Sequence, residues 1–208
     1  DLARSRGLGD VYKRQWVDGE GTLSMPVDRD LEGRLLEKPA DLEIGWNEQL
    51  AFDGLVATIV GRVSASVLNS TMRCQQMDVT MTDRVLFQKQ KEKIRPEIDT
   101  VVCRYSVEVE SHAVEDGNLN EVVRARFAAF AMRQSTGRAE ARGPGVVKMW
   151  RRGRGKRAAL APTATGKANQ GASTESTGWE YTRIDFANEM LGQQDARSMK
   201  FLGQVQVV

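Results

Sequence analysis

Few side chains in this chain could carry covalent or acid–base chemistry. It has 208 residues but one histidine, His112, and two cysteines, Cys74 and Cys103. A lone histidine leaves little for a histidine metal centre or a nucleophile–base triad, and two thiols cannot build a four-cysteine zinc site. The carboxylates Asp41, Glu43, Glu108, Glu110 and Asp185 all fall on the polar phase of strand-like stretches. No two of them stand where one would hold a proton that the other gives up. The reading is a protein that is not an enzyme, with no metal and no cofactor. Cys74 and Cys103 could form a disulfide in an oxidising compartment if their strands are neighbours, or could serve as small buried hydrophobes. His112, close to Asp116-Gly117, reads as an exposed loop histidine. The remaining chemistry is cationic: Lys148, Arg151, Arg152, Arg154, Lys156 and Arg157 form a run without an acid. Such a run suits lipid phosphates or an anionic membrane surface, or is simply a solvated loop. The net charge of only +2 and the absence of interleaved aromatics argue against nucleic acid.

The elements that must position these groups are strands. Hydrophobic residues make up 40% and charged residues 28%, an ordinary globular balance, and no apolar run approaches the ~20 residues of a membrane-spanning helix. Val101, Cys103, Tyr105, Val107 and Val109 alternate with Arg104, Ser106, Glu108 and Glu110, the period of two of a half-buried strand. The same alternation runs through Val63, Ala65 and Val67, through Met77, Val79, Met81, Val85 and Phe87, and through Val123, Ala125 and Phe127. Met72 and Cys74 are out of phase with Met77, which predicts a bulge between them. Asp53-Gly54 and Asp116-Gly117 are tight-turn signals. The 88–97 stretch has charge but no apolar face and reads as a polar loop. Residues 1–15 read as a non-native or disordered leader, 16–150 as β repeats, 151–178 as a disordered insertion, and 179–208 as a continuation that stops in mid-pattern.

Within those strands a short unit recurs. ATIVGRV at 57–63, AEARGPGV at 139–146 and MKFLGQV at 199–205 each place apolar alternation before a glycine: Gly61, Gly143 and Gly203. Ile44-Gly-Trp46 precedes the first copy as Ile184-Asp-Phe186 precedes the last. A glycine inside a strand marks a bend or a close backbone approach, and successive strands bent at glycines would stack into a folded sheet with one continuous apolar face.

These segments, ADLEIGWNEQLAFDGLVATIVGRV, MRCQQMDVTMTDRV, TGRAEARGPGVV and TRIDFANEMLGQQDARSMKFLGQVQV, resemble the OstA/LptA-like family of periplasmic lipopolysaccharide-transport proteins, in a long, divergent form. The resemblance implies an all-β, incompletely closed jelly roll of repeated hairpins, folded like a taco around acyl chains. It implies a non-catalytic lipid-binding or lipid-transport protein of the periplasm or cell envelope, with a lipid or lipopolysaccharide-like amphiphile as partner. The candidate lining is Trp46, Phe52, Ile59, Met77, Val79, Met81, Tyr105, Val107, Phe127, Phe186 and Phe201. The alternative is that these side chains fill the interior and the chain is a structural module, stacking edge to edge with similar domains.

Overall fold

In the computed structural model, residues 15–31, 35–85, 97–115, 117–153, 178–193 and 198–208 are described. The polar 88–97 loop and the 151–178 insertion fall almost wholly outside these residues, as do Phe87 and Asp116. The described residues form strands and turns without a helix, as the alternation predicts. The strands are β1 (Gln15–Asp18), β2 (Gly21–Arg29), β3 (Leu35–Trp46), β4 (Gln49–Phe52), β5 (Val56–Val67), β6 (Ser70–Met81) and β7 (Ile98–Glu115). They continue with β8 (Asn118–Arg133), β9 (Arg138–Arg142), β10 (Gly145–Arg152), β11 (Trp179–Phe186), β12 (Glu189–Gln193), β13 (Ser198–Leu202) and β14 (Val205–Val207). All pair antiparallel in one 14-stranded sheet that does not close into a barrel. Gln15, assigned to the leader from sequence, instead opens β1 opposite Phe52.

The sheet is folded along a line that crosses β5, β6, β7 and β8. β3 and β4 share β5: β4 pairs with residues 57–60, and β3 with residues 64–66. β8 is shared likewise, pairing with β10 through residues 121–126 and with β9 through 129–133. Between these halves the register slips at residues 60–63 of β5, 73–76 of β6 and 104–107 of β7. Two facing layers result, and in each of β5 to β8 the two halves lie in different layers. Aliphatic, sulfur and aromatic side chains from both layers make one core, in which Ile59, Cys103, Val107 and Ala141 are fully buried. Each large apolar side chain buried there contributes about 1.5–3 kcal/mol.

The glycines of the repeat stand on this fold line. Gly61 adopts φ +91°, and its carbonyl accepts from the Asn47 N–H at 2.9 Å. A Cβ there would lie 2.4 Å from Glu48 Cγ and 2.6 Å from its Cβ, so only glycine lets the two chain segments meet. Gly203, at φ +95°, packs against Asn188 in the same way. Gly143 also sits at the bend, where its N–H donates to the Asn188 carbonyl at 2.6 Å.

The bulge expected before Met77 is present: Cys74 and Met77 are both buried, while Gln75 and Gln76 between them lie outside. One lining residue is corrected. Tyr105 is 62% exposed, because Tyr105 and Ser106 take left-handed conformations (φ 65° and 55°) and carry both side chains outward at the bend. Inward alternation resumes at Val107. His112, expected in a loop, lies within β7 and bonds Glu110 Oε1 at 3.1 Å.

Candidate functional site

The feature with the character of a binding site is the seam between the two layers. Its lining comes from the inward phase of each strand. β5 supplies Ala57, Ile59, Val63, Ala65 and Val67, and the halves of β6 supply Met72 and Cys74 from one layer and Met77 and Val79 from the other. Apolar residues must recur at this period because every second Cβ faces the opposing layer. Across the seam, the Cys103 thiol donates to Met72 Sδ at 3.2 Å. Towards the C-terminal side the seam is aromatic, with ring centroids of Phe127–Phe130 at 6.0 Å, Phe127–Phe186 at 6.1 Å and Phe186–Phe201 at 5.5 Å.

Of the residues expected to line the seam, Trp46, Ile59, Met77, Val79, Val107, Phe127 and Phe186 are buried in it. Phe52, Met81 and Phe201 are half-buried and pack against the same core. Tyr105 does not join them. Trp46 sits at the fold line, where its indole Nε1 donates to the Gly19 carbonyl at 3.0 Å. Leu42, Ile44, Ile98, Phe130 and Met132 belong to the core as well. Ile44 stood in the repeated Ile-x-aromatic unit. Phe130 and Met132 were hidden because β8 changes phase where it crosses the fold line, between Phe127 and Phe130.

The packing leaves an internal cavity of about 40 Å³ on the N-terminal side, lined by residues of both layers including Ile44, Ala65, Met72, Met77, Val79 and Met132. That volume holds no more than a few water molecules. The cavity abuts a second hollow of about 380 Å³ at the rim opposite the fold line, and Val27, Arg29, Ile98 and Gln134 belong to both. This vestibule lies between the β2–β3 hairpin (Pro26, Asp28, Pro39) and the ends of β6 to β8 (Thr82, Glu97, Asp99, Ser135). Its wall is polar. Thr100 and Ser135 hydroxyls donate to the Asp99 carboxylate at 2.8 and 2.9 Å and hold its pKa below the usual carboxylate range.

Cys74 and Cys103 are both free and both buried. The contact with the Cys74 thiol, reinforced by burial, raises the Cys103 pKa, so Cys103 stays a protonated hydrophobe. Among the described residues no three His, Cys, Asp or Glu side chains converge to hold a metal. The outer faces carry cross-strand ion pairs instead, among them Arg104–Asp78, Arg126–Glu108 at 3.0 Å and Arg124–Glu110 at 3.0 Å, and the Arg124 guanidinium depresses the Glu110 pKa.

The chain matches no protein-family model and none of the curated protein sequences.

Proposed function

We propose that this protein is a non-catalytic lipid-binding or lipid-transport module of the cell envelope, holding the acyl chains of a lipopolysaccharide-like amphiphile between its two layers. The observation that carries this reading is the junction of an apolar interlayer cavity with a more polar vestibule at the open rim. An amphiphile needs that order of surfaces: polar for the head, then apolar for the tail. Each CH₂ moved from water into the seam contributes about 0.8 kcal/mol, so affinity needs no specific polar contact at depth. The resemblance to OstA/LptA-like proteins points to the same ligand and to a periplasmic or envelope-associated location. The test is native mass spectrometry of the protein after incubation with lipopolysaccharide or phospholipid and removal of the excess. Retained lipid supports the reading, and apo protein alone under both conditions overturns it.

A second reading has its own support. The interior is nearly filled, and among the described residues the sheet ends in edges whose strands each have one neighbour: β1 and β2 on one side, β13 and β14 on the other. Trp16, Val17 and Leu23 are exposed at the first edge, and Met199, Val205 and Val207 at the second. Unpaired, apolar edges favour strand addition, so such a module stacks edge to edge with similar domains without lipid. Light scattering at rising concentration tests it: concentration-dependent growth without lipid supports stacking, and a monomer throughout excludes it.

A further inference from the structure

We propose that the rim of the layer carrying β10 and β11 seats in the headgroup region of an anionic lipid bilayer, through a cluster of aromatic and cationic side chains on its outer face. This contact goes beyond the interlayer seam and does not depend on it. Near the fold line that outer face is a charged ladder: Glu108 opposite Arg126, Glu110 opposite Arg124, and Arg183 bonded to Asp185 at 2.7 Å. Towards the rim its character changes. Val122, Trp150 and Tyr181 lie directly opposite one another on β8, β10 and β11, and Arg152 lies opposite Trp179. The Trp150 and Tyr181 rings are 5.2 Å apart, and the Arg124 guanidinium lies 5.8 Å from the Trp150 ring centroid. Trp179 is 48% exposed and Tyr181 46%, and the β7–β8 hairpin adds Val114 at 47% and Leu119 at 40%. Leu119, Val122, Arg124, Trp150 and Trp179 line an open hollow of about 340 Å³.

The chemistry of this patch selects its occupant. Tryptophan and tyrosine, with apolar rings and polar tips, settle at the level of lipid headgroups, while short aliphatic side chains reach the acyl boundary. On the same face as Trp150, β10 carries Lys148 and Arg152, cations that complement lipid phosphates. Glu121 and Glu180 are the acids facing β10 at the rim, where Glu121 pairs with Arg151 at 2.6 Å. A nucleic acid fits less well: Trp150 and Tyr181 pack on each other rather than leaving slots for bases, and the net charge is only +2.

The test is co-sedimentation with vesicles of phosphatidylcholine alone or of phosphatidylcholine with phosphatidylglycerol. The protein sediments with the anionic vesicles and is released by salt. The double substitution Trp179→Ser with Tyr181→Ser lowers partitioning at least ~tenfold. Trp16→Ser removes an exposed tryptophan at a sheet edge instead, and leaves partitioning unchanged. All of these side chains are exposed, so thermal unfolding confirms that each variant is folded. The proposal is overturned if the wild type stays in the supernatant with anionic vesicles. It is equally overturned if the double variant sediments like the wild type, or if the double substitution instead dissociates a dimer formed without vesicles.

Discussion

Substituting Gly61 with alanine separates a turn glycine from a hinge glycine, with Gly117→Ala as the reference. Both glycines have positive φ, +91° at Gly61 and +76° at Gly117, so each substitution bears a left-handed cost of about 1–2 kcal/mol. They differ in what a methyl group meets. At Gly117 nothing lies within 4 Å, whereas at Gly61 Glu48 Cγ lies at 2.4 Å, Asn47 Oδ1 at 2.5 Å and Glu48 Cβ at 2.6 Å. The Glu48 side chain can swing its Cγ aside, but its Cβ is fixed to the backbone, so the crossing of β3–β4 over β5 must shift. That overpacking adds about 1–3 kcal/mol, for a total of roughly 2–5 kcal/mol. At about 2–4 °C per kcal/mol for a chain of this size, the expected loss in Tm is roughly 4–20 °C for Gly61→Ala and 2–8 °C for Gly117→Ala. Urea and thermal unfolding followed by tryptophan emission measure both, since Trp46 is buried at the fold line. Equal losses for the two variants refute the view that close approach at the bend, rather than backbone conformation, makes Gly61 necessary.

Three further outcomes follow from the geometry. Tyr105→Gly changes stability by less than about 0.5 kcal/mol or gains about 1, since it relieves a left-handed conformation at an exposed site, whereas Met77→Ala in the core costs about 2–5 kcal/mol; chemical denaturation compares them. The lowered Asp99 pKa means that its tie to Thr100 and Ser135 stabilises the fold above the ordinary carboxylate range and is lost as pH falls through the folded-state value. Asp99→Asn therefore flattens the acid limb of the Tm profile, and an unchanged limb counts against the tie. Cys103, with its pKa raised, resists alkylation at neutral and mildly alkaline pH in the native protein and reacts in urea; mass spectrometry of native protein labelled at neutral pH decides this.

Much of this architecture was readable from alternation alone, because a strand with one wet face writes its orientation into every second residue. Val63, Ala65 and Val67 are buried as their phase requires, and the offset between Cys74 and Met77 marks the bulge of β6. The glycine slot shared by Gly61, Gly143 and Gly203 located the fold line, since a sheet can bend sharply only where backbones approach closely. Tyr105 escaped because two consecutive left-handed residues preserve parity on either side while turning one side chain out. The vestibule escaped for a different reason: its wall joins the β2–β3 hairpin to the distant β8–β9 turn, and no local pattern records which turns meet across a mouth. The aromatic rim was invisible for a related reason, since Trp150 and Tyr181 become neighbours only through the pairing of β10 with β11.

A cavity of about 40 Å³ does not by itself decide against acyl chains, because the relevant quantity is the free energy of exchanging one packing for another. Parting the layers to admit a lipid tail removes contacts between apolar side chains and replaces them with contacts between those side chains and methylenes. Apolar surface stays out of water on both sides of that exchange, so the large hydrophobic contributions nearly cancel. What would oppose opening is a polar bond spanning the seam, since breaking it in a dry interior leaves unsatisfied groups. The buried Ser70–Ser111 hydrogen bond of 3.0 Å joins adjacent strands of one layer and survives such a parting. The links that Cys103 makes across the seam, to Met72 and to the Cys74 thiol, are weak sulfur contacts. With glycines at the hinge, methionines along the faces and the strand-pairing hydrogen bonds kept within each layer, the two layers can separate without undoing the pairing in either.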